Sequence, residues 1–493
     1  MLAPEVAPWA KTGGLADVLG GLPVALEQLG HCTTVILPRY REVEMPSGTS
    51  ATARTLTLGA TSYSVTTHVT QVSERRRVVF VDHPDSFDRP GLYGEGGTEY
   101  SDNALRFALF NVAALDAAES ESDLGGPFDV VHAHEWQASL APALVSVEPH
   151  RWPRVAETGR VLTIHNLAYQ GLFPKETVPA LGLPWDLFRV DGGEFWGQLS
   201  FLKTGINYSD LVTTVSPTYA RETQGPEFGC GLDGVLASLG DRYIGILNGI
   251  DTEVWNPSSD SWLPAHYEAS SLAGKRVCKR ALLERFHLPV GDDALSRPLI
   301  GMVSRLVDQK GLSLIAEASD QLMALDATWV FLGTGDPRHE AMLRTLALEH
   351  QTRVGTFVGF DEGLAHLIEA GSDMFLMPSL FEPCGLNQMY SLRYGTVPIV
   401  RAVGGLDDTV QAYTARAQKS NGFKFSTTTS DELVRTVKQA TRVFHNREAW
   451  TRLQQQGMAE DFSWTTSAEE YVRVYRRARL DAAGRRGAAE SSD

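Results

Sequence analysis

The sequence predicts an α/β protein made of two doubly wound domains, each a parallel sheet with helices on both faces. Three observations point there. Short apolar runs alternate with helical patterns along most of the 493 residues, and that alternation requires a parallel sheet covered on both sides. The alternation runs in two series that divide near Asn248-Gly249-Ile250-Asp251, in a chain too long for one core. The turn Lys11-Thr12-Gly13-Gly14 opens directly into an apolar-periodic helix. Its glycines admit close approach, and its helix start and lysine suit an anion such as phosphate.

In the first series that helix spans Leu15 to Leu29, with Gly30 at the C-cap position. Strands are expected at Thr33–Leu37, Val78–Val81, Val130–Val131, Val161–Ile164, Leu211–Val215 and Ile244–Leu247, with helices over Ala104–Leu115 and Leu199–Asn207. Thr55–Val72 alternates polar and apolar residues and reads as an antiparallel insert. In the second series strands are expected at Leu299–Val303, Trp329–Leu332, Thr356–Val358, Met374–Met377 and Val397–Val400. Asn256–Pro264, rich in Ser, Pro and Asp, reads as a linker. The domains are then 1–247 and 248–461, followed by a helix over 462–480 and a frayed, flexible tail over 481–493.

Composition narrows the function. Hydrophobic residues at 43% and charged residues at 21% are those of a folded globular protein. A net charge of -16 excludes a general nucleic-acid or anionic-membrane binder. Any bound anion must be held by local cations. Cys32, Cys230, Cys278 and Cys384 are scattered, which argues against a zinc site or disulfide framework and for a reducing compartment, the cytoplasm. No apolar run approaches the ~20 residues of a membrane span, and Met1–Trp9 has neither the basic nor the apolar region of a signal peptide.

Ligands of wound sheets bind beyond the carboxyl ends of the strands. In the first domain His132, Ala133, His134, Glu135 and Trp136 follow Val131, His165 and Asn166 follow Ile164, and Asn248 follows Leu247. In the second domain the residues are Arg305 and Lys310, then Gly333-Thr334-Gly335-Asp336, then Glu382-Pro383-Cys384-Gly385-Leu386. Together they would floor a cleft between two domains. Each also has a plain structural reading: a solvated lysine for Lys11, core histidines for His132 and His134, a helix start for Arg305 and Lys310, a packed thiol for Cys384. Gly333–Asp336 is only half of a dinucleotide fingerprint. His-x-His-Glu suggests a metal pair, yet no further ligands follow at metal spacing, so no metal is expected.

Seven ordered stretches decide between these readings: KTGGLADV (Lys11–Val18), TIHNLAYQG (Thr163–Gly171), VSPTYARE (Val215–Glu222), LNGID (Leu247–Asp251), SRLVDQKG (Ser304–Gly311), FEPCGLNQMY (Phe381–Tyr390) and VGGLDDTV (Val403–Val410). With them the chain from Pro4 to about Tyr475 resembles the bacterial glycogen synthase and plant starch synthase family of retaining glucosyltransferases. The resemblance implies the GT-B architecture, two facing Rossmann-like domains with the last helix crossing back onto the first; Phe462–Arg477 fits that crossover. It also implies transfer of glucose from ADP-glucose to the non-reducing 4-hydroxyl of an α-1,4-glucan with retention, without metal or cofactor.

By the same resemblance, Arg305 and Lys310 neutralise the departing diphosphate from the second domain, while Lys11 and Gly13-Gly14 approach it from the first. Gly333, Gly335 and Cys384 fall on the nucleotide-sugar side. Glu382 is the family's essential carboxylate beside the transferred glucose, and the Gly385 and Leu386 amides grip sugar hydroxyls. His165, Asn166 and Asn248 line the sugar's other side, Asp17 faces the acceptor, and Glu135 and Trp136 lie on the acceptor side. Many related transferases carry a second Glu eight residues after the first. Here that position is Tyr390, so front-face transfer within an ion pair is preferred to double displacement. Where the family commonly reads His-Asp-Trp-His, this chain has His134-Glu135-Trp136-Gln137, one methylene longer at the carboxylate. Two alternatives stay open. Another retaining GT-B transferase would keep Arg305, Lys310 and Glu382 with a different nucleotide or acceptor; a non-catalytic glucan-binding paralogue would lose one of the charged residues.

Only Met1, Leu2 and Ala3 precede Pro4, where the family has a central strand ahead of its phosphate loop. Loss of that strand would leave both neighbours with unpaired backbone groups, each costing roughly 1 to 3 kcal/mol. The expectation is a start upstream of Met1, unless Met1–Ala3 and a neighbouring loop fill the gap.

Overall fold

The computed structural model describes residues 1–120, 124, 126–415 and 419–490. The chain forms two compact units, one of Met1–Val215, Ala220–Gly249 and Trp464–Asp493, the other of Ser216–Tyr219 and Ile250–Ser463.

Besides a short pair at Gly94–Glu95 and Thr98–Glu99, the strands of the first unit are β1 (Thr33–Pro38), β2 (Ser50–Leu58), β3 (Thr61–Gln71), β4 (Arg76–Asp82), β5 (Val130–His134), β6 (Gly159–Ile164), β7 (Leu172–Pro174), β8 (Glu194–Phe195), β9 (Gln198–Ser200), β10 (Leu211–Thr214) and β11 (Tyr243–Gly245). Its main helices are α1 (Gly14–Gln28), α2 (Asn103–Ser120) and α3 (Phe201–Tyr208). The order β11-β10-β6-β5 makes one run of parallel strands and β1-β4-β3-β2 a second, in which β3 is antiparallel to both neighbours.

Leu2 joins the two runs through parallel bridges to Ile36 of β1 and Ala133 of β5. The Leu2 amide donates to His132 O at 2.8 Å, the His134 amide to Leu2 O at 2.9 Å, the Ala3 amide to Ile36 O at 3.0 Å, and the Ile36 amide to Met1 O at 2.8 Å. The neighbours of the central position are therefore paired, contrary to the expected gap, because three extended residues suffice to meet the central donors and acceptors. With Met1–Ala3 counted as first strand, the parallel strands reverse direction of succession between it and β5, which makes this edge the topological switch point.

Several expectations shift in detail. The antiparallel insert starts at Ser50 rather than Thr55. β5 runs on to His134, so His132 and His134 lie within the strand, not beyond it. Their polarity hides the strand in the sequence; in the fold His132 Nε2 pairs with Thr163 Oγ1 at 2.6 Å and Nδ1 with Tyr475 Oη at 2.9 Å, and His134 pairs through Nδ1 alone, its Nε2 having no partner among the described residues.

The second unit carries β12 (Leu299–Val303), β13 (Thr328–Gly333), β14 (Val354–Val358), β15 (Met374–Met377), β16 (Val397–Arg401) and β17 (Phe423–Phe425), with α4 (Asn387–Arg393) after β15. The order β14-β13-β12-β15-β16-β17 is parallel throughout. This is the 3-2-1-4-5-6 order of a doubly wound nucleotide-binding sheet, with its switch point between β12 and β15. Trp329, Phe331, Met374, Leu376 and Ile399 sit in its apolar core. The stretch expected as a linker, Asn256–Pro264, is docked on this unit instead. Asp260 is buried and accepts from Tyr394 Oη at 2.6 Å and pairs with His366 Nδ1 at 2.7 Å.

The last helix, α5 (Trp464–Glu490), belongs to the first unit. Its opening tryptophan lies on α1, where a Cβ at Gly21 would come within 2.0 Å of the indole nitrogen. The helix continues through 481–490, expected as tail, because that run is rich in Ala and Arg and free of proline; residues 491–493 lie outside the described residues.

Candidate active site

In the second unit the candidate residues sit on the switch point. The segment after β12 carries Arg305 and Lys310, and the segment after β15 carries Glu382. The two are tied together: Asn387 Nδ2 donates to Val303 O at 2.7 Å, the Leu380 amide to Gln309 O at 2.8 Å, and Gln309 Nε2 to Phe381 O at 3.2 Å. Lys310 is thereby held against Glu382, with Nζ 2.6 Å from Oε2. Ser379 Oγ donates to the same oxygen at 3.0 Å. Glu382 is buried, at 5% exposure, whereas Arg305 is exposed and has no ion pair among the described residues.

The Gly333–Asp336 turn pairs with the same segment: the Leu306 amide donates to Thr334 O at 2.9 Å and the Asp336 amide to Leu306 O at 2.7 Å. Gly333 and Gly335 therefore lie beside Arg305. Beyond Glu382, Cys384 is buried, and Gln388 Nε2 bonds the carbonyls of Cys384 and Gly385 at 3.1 and 2.9 Å, which fixes the turn into α4. Gly385 and Leu386 lead straight into that helix.

In the first unit the turn before α1 is organised around Glu5. Its Oε2 accepts from the Thr12 and Gly13 amides at 2.5 and 3.2 Å, and Oε1 accepts from Thr12 Oγ1 and Tyr93 Oη, both at 2.6 Å. A carboxylate of the protein thus shapes the loop, and the Gly14 and Leu15 amides that follow open the helix. Lys11 Nζ pairs with Asp17 Oδ1 at 2.7 Å, half exposed, so both predicted residues lie at one helix start.

Across the switch point, Glu135 follows β5 with φ +65 and is buried. Its Oε1 accepts from the His165 and Asn166 amides at 2.5 and 2.8 Å. The carboxylate thus holds the loop that carries these two residues. Burial pushes the Glu135 carboxyl up to about 7, against the pull of the amides. His134 Nδ1 lies 3.0 Å from His165 Nε2, and burial pushes the His165 imidazole down to about 3. His165 is therefore a neutral hydrogen-bonding group. Asn248 is buried, and its Oδ1 has no partner among the described residues.

Trp136, placed on the acceptor side from sequence, is 6% exposed. It packs against Phe107, Phe173 and Phe201 with ring centroids at 5.1, 5.7 and 6.3 Å. It supports the site from beneath and offers no face to a sugar. Among the described residues no group of three or more His, Cys, Asp or Glu is placed to hold a metal ion.

Sequence reading missed other members. Glu5, Ser379, Asn387 and Gln388 make the bonds above, yet lone polar residues carry no signal of their partners. Gly404, at φ +45, would drive a Cβ to within 1.9 Å of Glu382 O, so the Val403–Val410 segment is the bed on which Glu382 rests. The paired glycines were the one visible trace. Trp255 stacks between Tyr390 and His366, each at 3.8 Å, and so occupies Tyr390 in packing.

Comparisons with known proteins identify the family. The starch synthase catalytic domain family matches residues 1–238, and glycosyl transferases group 1 matches residues 290–457. A glycogen synthase of Anaeromyxobacter dehalogenans (strain 2CP-C) is 49% identical, covering 96% of this chain and 98% of its own. One of Koribacter versatilis (strain Ellin345) is 45% identical, covering 97% of each. Among solved structures, the catalytic domain of starch synthase IV from Arabidopsis thaliana, bound to ADP and acarbose, is 34% identical with a TM-score of 0.87, covering 97% of this chain and 98% of that one. Sucrose-phosphate synthase from Thermosynechococcus elongatus shares the fold at 16% identity, with a TM-score of 0.58 and 98% of each chain covered. The chain is a glycosyltransferase of GT-B fold and belongs to the bacterial glycogen synthase and plant starch synthase family.

Proposed function

We propose that the protein transfers glucose from ADP-glucose to the non-reducing 4-hydroxyl of an α-1,4-glucan, with retention. The observation that carries the reading is the Lys310–Glu382 pair beside Arg305 at the switch point of the second unit's sheet. The bond from the anomeric carbon to the diphosphate breaks, the bond to the acceptor oxygen forms on the same face, and the acceptor proton leaves on the departing ADP. Arg305 and Lys310 stabilise the negative charge that develops on the leaving group, and fixed charges of this kind give a transferase most of its rate enhancement. In the first unit Lys11 and the amides at the start of α1 offer a second place suited to negative charge.

Glu382 faces the sugar as a carboxylate, and Tyr390, stacked on Trp255, offers no second nucleophile. Neutral His165, with Asn166 and the unpartnered Oδ1 of Asn248, suits sugar hydroxyls, which need donors and acceptors rather than charge. That starch synthase IV was solved with ADP supports an adenine nucleotide as donor. No helix among the described residues is long and apolar enough to cross a membrane. Four free thiols fit a reducing compartment, and we place the enzyme in the cytoplasm.

The test is transfer from radiolabelled ADP-glucose and UDP-glucose, with glycogen and with maltose as acceptors. Incorporation from ADP-glucose into glucan is expected. Preference for UDP-glucose, or release of glucose without glucan growth, would overturn the reading in favour of another GT-B transferase.

A further inference from the structure

The hairpin of β8 and β9 is closed by Trp196 and Gly197, whose φ values are +50 and +80. Two successive positive φ values in a two-residue loop are the arrangement that favours Asn-Gly or Gly-Gly. A bulky aromatic residue is an outlier there. Such outliers persist when something other than local preference retains them. Packing does not retain this one: Trp196 is 86% exposed, and its neighbour Phe195 meets it only edge-on at 6.4 Å.

The base of the hairpin is held firmly instead. Lys203 Nζ donates to Val190 O at 2.8 Å and Glu194 O at 2.6 Å, the Gly197 amide donates to Glu194 Oε1 at 2.8 Å, and Asn207 Nδ2 donates to Gly192 O at 2.7 Å. An indole is therefore presented to solvent at a fixed place. That place is continuous with the site. β9 pairs with β7, which starts one residue after the Thr163–Gly171 loop bearing His165, Asn166 and the half-exposed Tyr169. At ~3.3 Å per strand residue, the tip stands roughly 10 to 15 Å beyond Gly171.

We propose that Trp196 is a stacking platform for an α-glucan chain, an outlying acceptor subsite of the first unit; this rests on the glucan-transfer reading above. The apolar C–H face of a glucose ring suits an aromatic face, and the indole N–H suits a hydroxyl. A neutral polymer also meets no repulsion from a chain of net charge -16, as an anionic one would. The distance of the tip from His165 means that a long chain engages both, whereas a short acceptor engages only the inner site.

The experiment compares the parent with Trp196→Asn, which suits the turn, and Trp196→Tyr, which keeps an aromatic face. Measured at saturating ADP-glucose, the ratio of kcat/KM for glycogen to that for maltotriose is expected to fall about fivefold or more in the Asn variant. Retardation by glycogen in a native gel is lost with it. The Tyr variant keeps most of both, and the Asn variant melts no lower than the parent, which rules out a folding defect. An unchanged ratio and unchanged retardation in Trp196→Asn would overturn the platform, as would an effect confined to self-association. A parent that transfers glucose to neither acceptor would instead overturn the glucan-transfer reading itself.

Discussion

In the first unit the groups around β5 are poorly solvated: burial pushes His165 down to about 3, holds His132 and His134 well below their ordinary range, and pushes Glu135 up to about 7, while Lys11 and Asp17 form a half-exposed ion pair at the start of α1. In the second unit the corresponding edge carries an ion pair, Lys310 on Glu382, and an exposed guanidinium at Arg305. Both halves stand at a switch point of the same strand order, so the fold does not set the difference. Burial alone does not set it either, since Glu135 and Glu382 are 6% and 5% exposed; the partner does, a cation in Lys310 for Glu382 and the His165 and Asn166 amides for Glu135. The uncharged groups near β5 suit hydroxyls, and the exposed cations Lys11 and Arg305, one in each unit, suit phosphate.

The largest effect should come from the charged half. Glu382→Gln keeps the shape and removes the charge facing both Lys310 and the sugar. Its kcat should fall about a thousandfold, or ~4 kcal/mol, with ADP-glucose affinity changed far less. Turnover within tenfold of the parent would mean that the carboxylate's charge is dispensable. Next comes Arg305→Ala, expected to lower kcat/KM by ~2 to 4 kcal/mol. Because that side chain is exposed and has no ion pair among the described residues, the melting temperature should stay put; a drop would show a structural role instead.

The poorly solvated groups around β5 are probed by Glu135→Gln. A carboxyl raised to about 7 in the fold binds its proton more tightly there than in the unfolded chain. Its contribution is intact below the unfolded value of 4.5 and declines as pH rises to about 7, above which the penalty is complete. Gln still accepts from the His165 and Asn166 amides without that penalty. The variant should exceed the parent in stability above pH 7 by up to about 3 kcal/mol, and the gain should vanish near pH 4.5. Equal pH dependence of Tm in both proteins would show that Glu135 does not titrate in this way. Smallest is Asp17→Asn, which breaks a half-exposed pair with Lys11. Unfolding in urea should shift by less than about 1 kcal/mol; a larger loss would make that pair part of the fold.

The alternation of apolar runs carried the sheets, because a buried parallel strand must be apolar on both faces. What stayed hidden depended on distant partners. β5 was cut to Val130–Val131 because His132 and His134 look like strand-end residues; the Tyr475 hydroxyl that satisfies His132 is 343 positions away. Asn256–Pro264 has the composition of a linker, yet Asp260 is anchored by residues 106 and 134 positions on. Arg305, Lys310 and Glu382 were singled out because they follow strands, and they lie after β12 and β15. Trp136 was misplaced for the same reason: it follows a strand, but its ring turns inward among Phe107, Phe173 and Phe201. Glu135 could be seen, though not the two amides that occupy it.

The return of α5 to the first unit has a consequence for biosynthesis. The ribosome releases Met1–Gly249 first, but Trp464, which lies on Gly21, and Tyr475, which bonds His132, are added only after all of Ile250–Ser463. At about 5 to 20 residues per second that interval lasts roughly 10 to 40 s. Throughout it the nascent first unit exposes the α1 and β6 surfaces that α5 later covers, with His132 Nδ1 lacking the hydroxyl it will bond. The second unit, whose one outlying piece is Ser216–Tyr219, has every residue it needs by Ser463. The half made last is thus the first to be complete, and the half made first must be kept from aggregating until the final helix emerges.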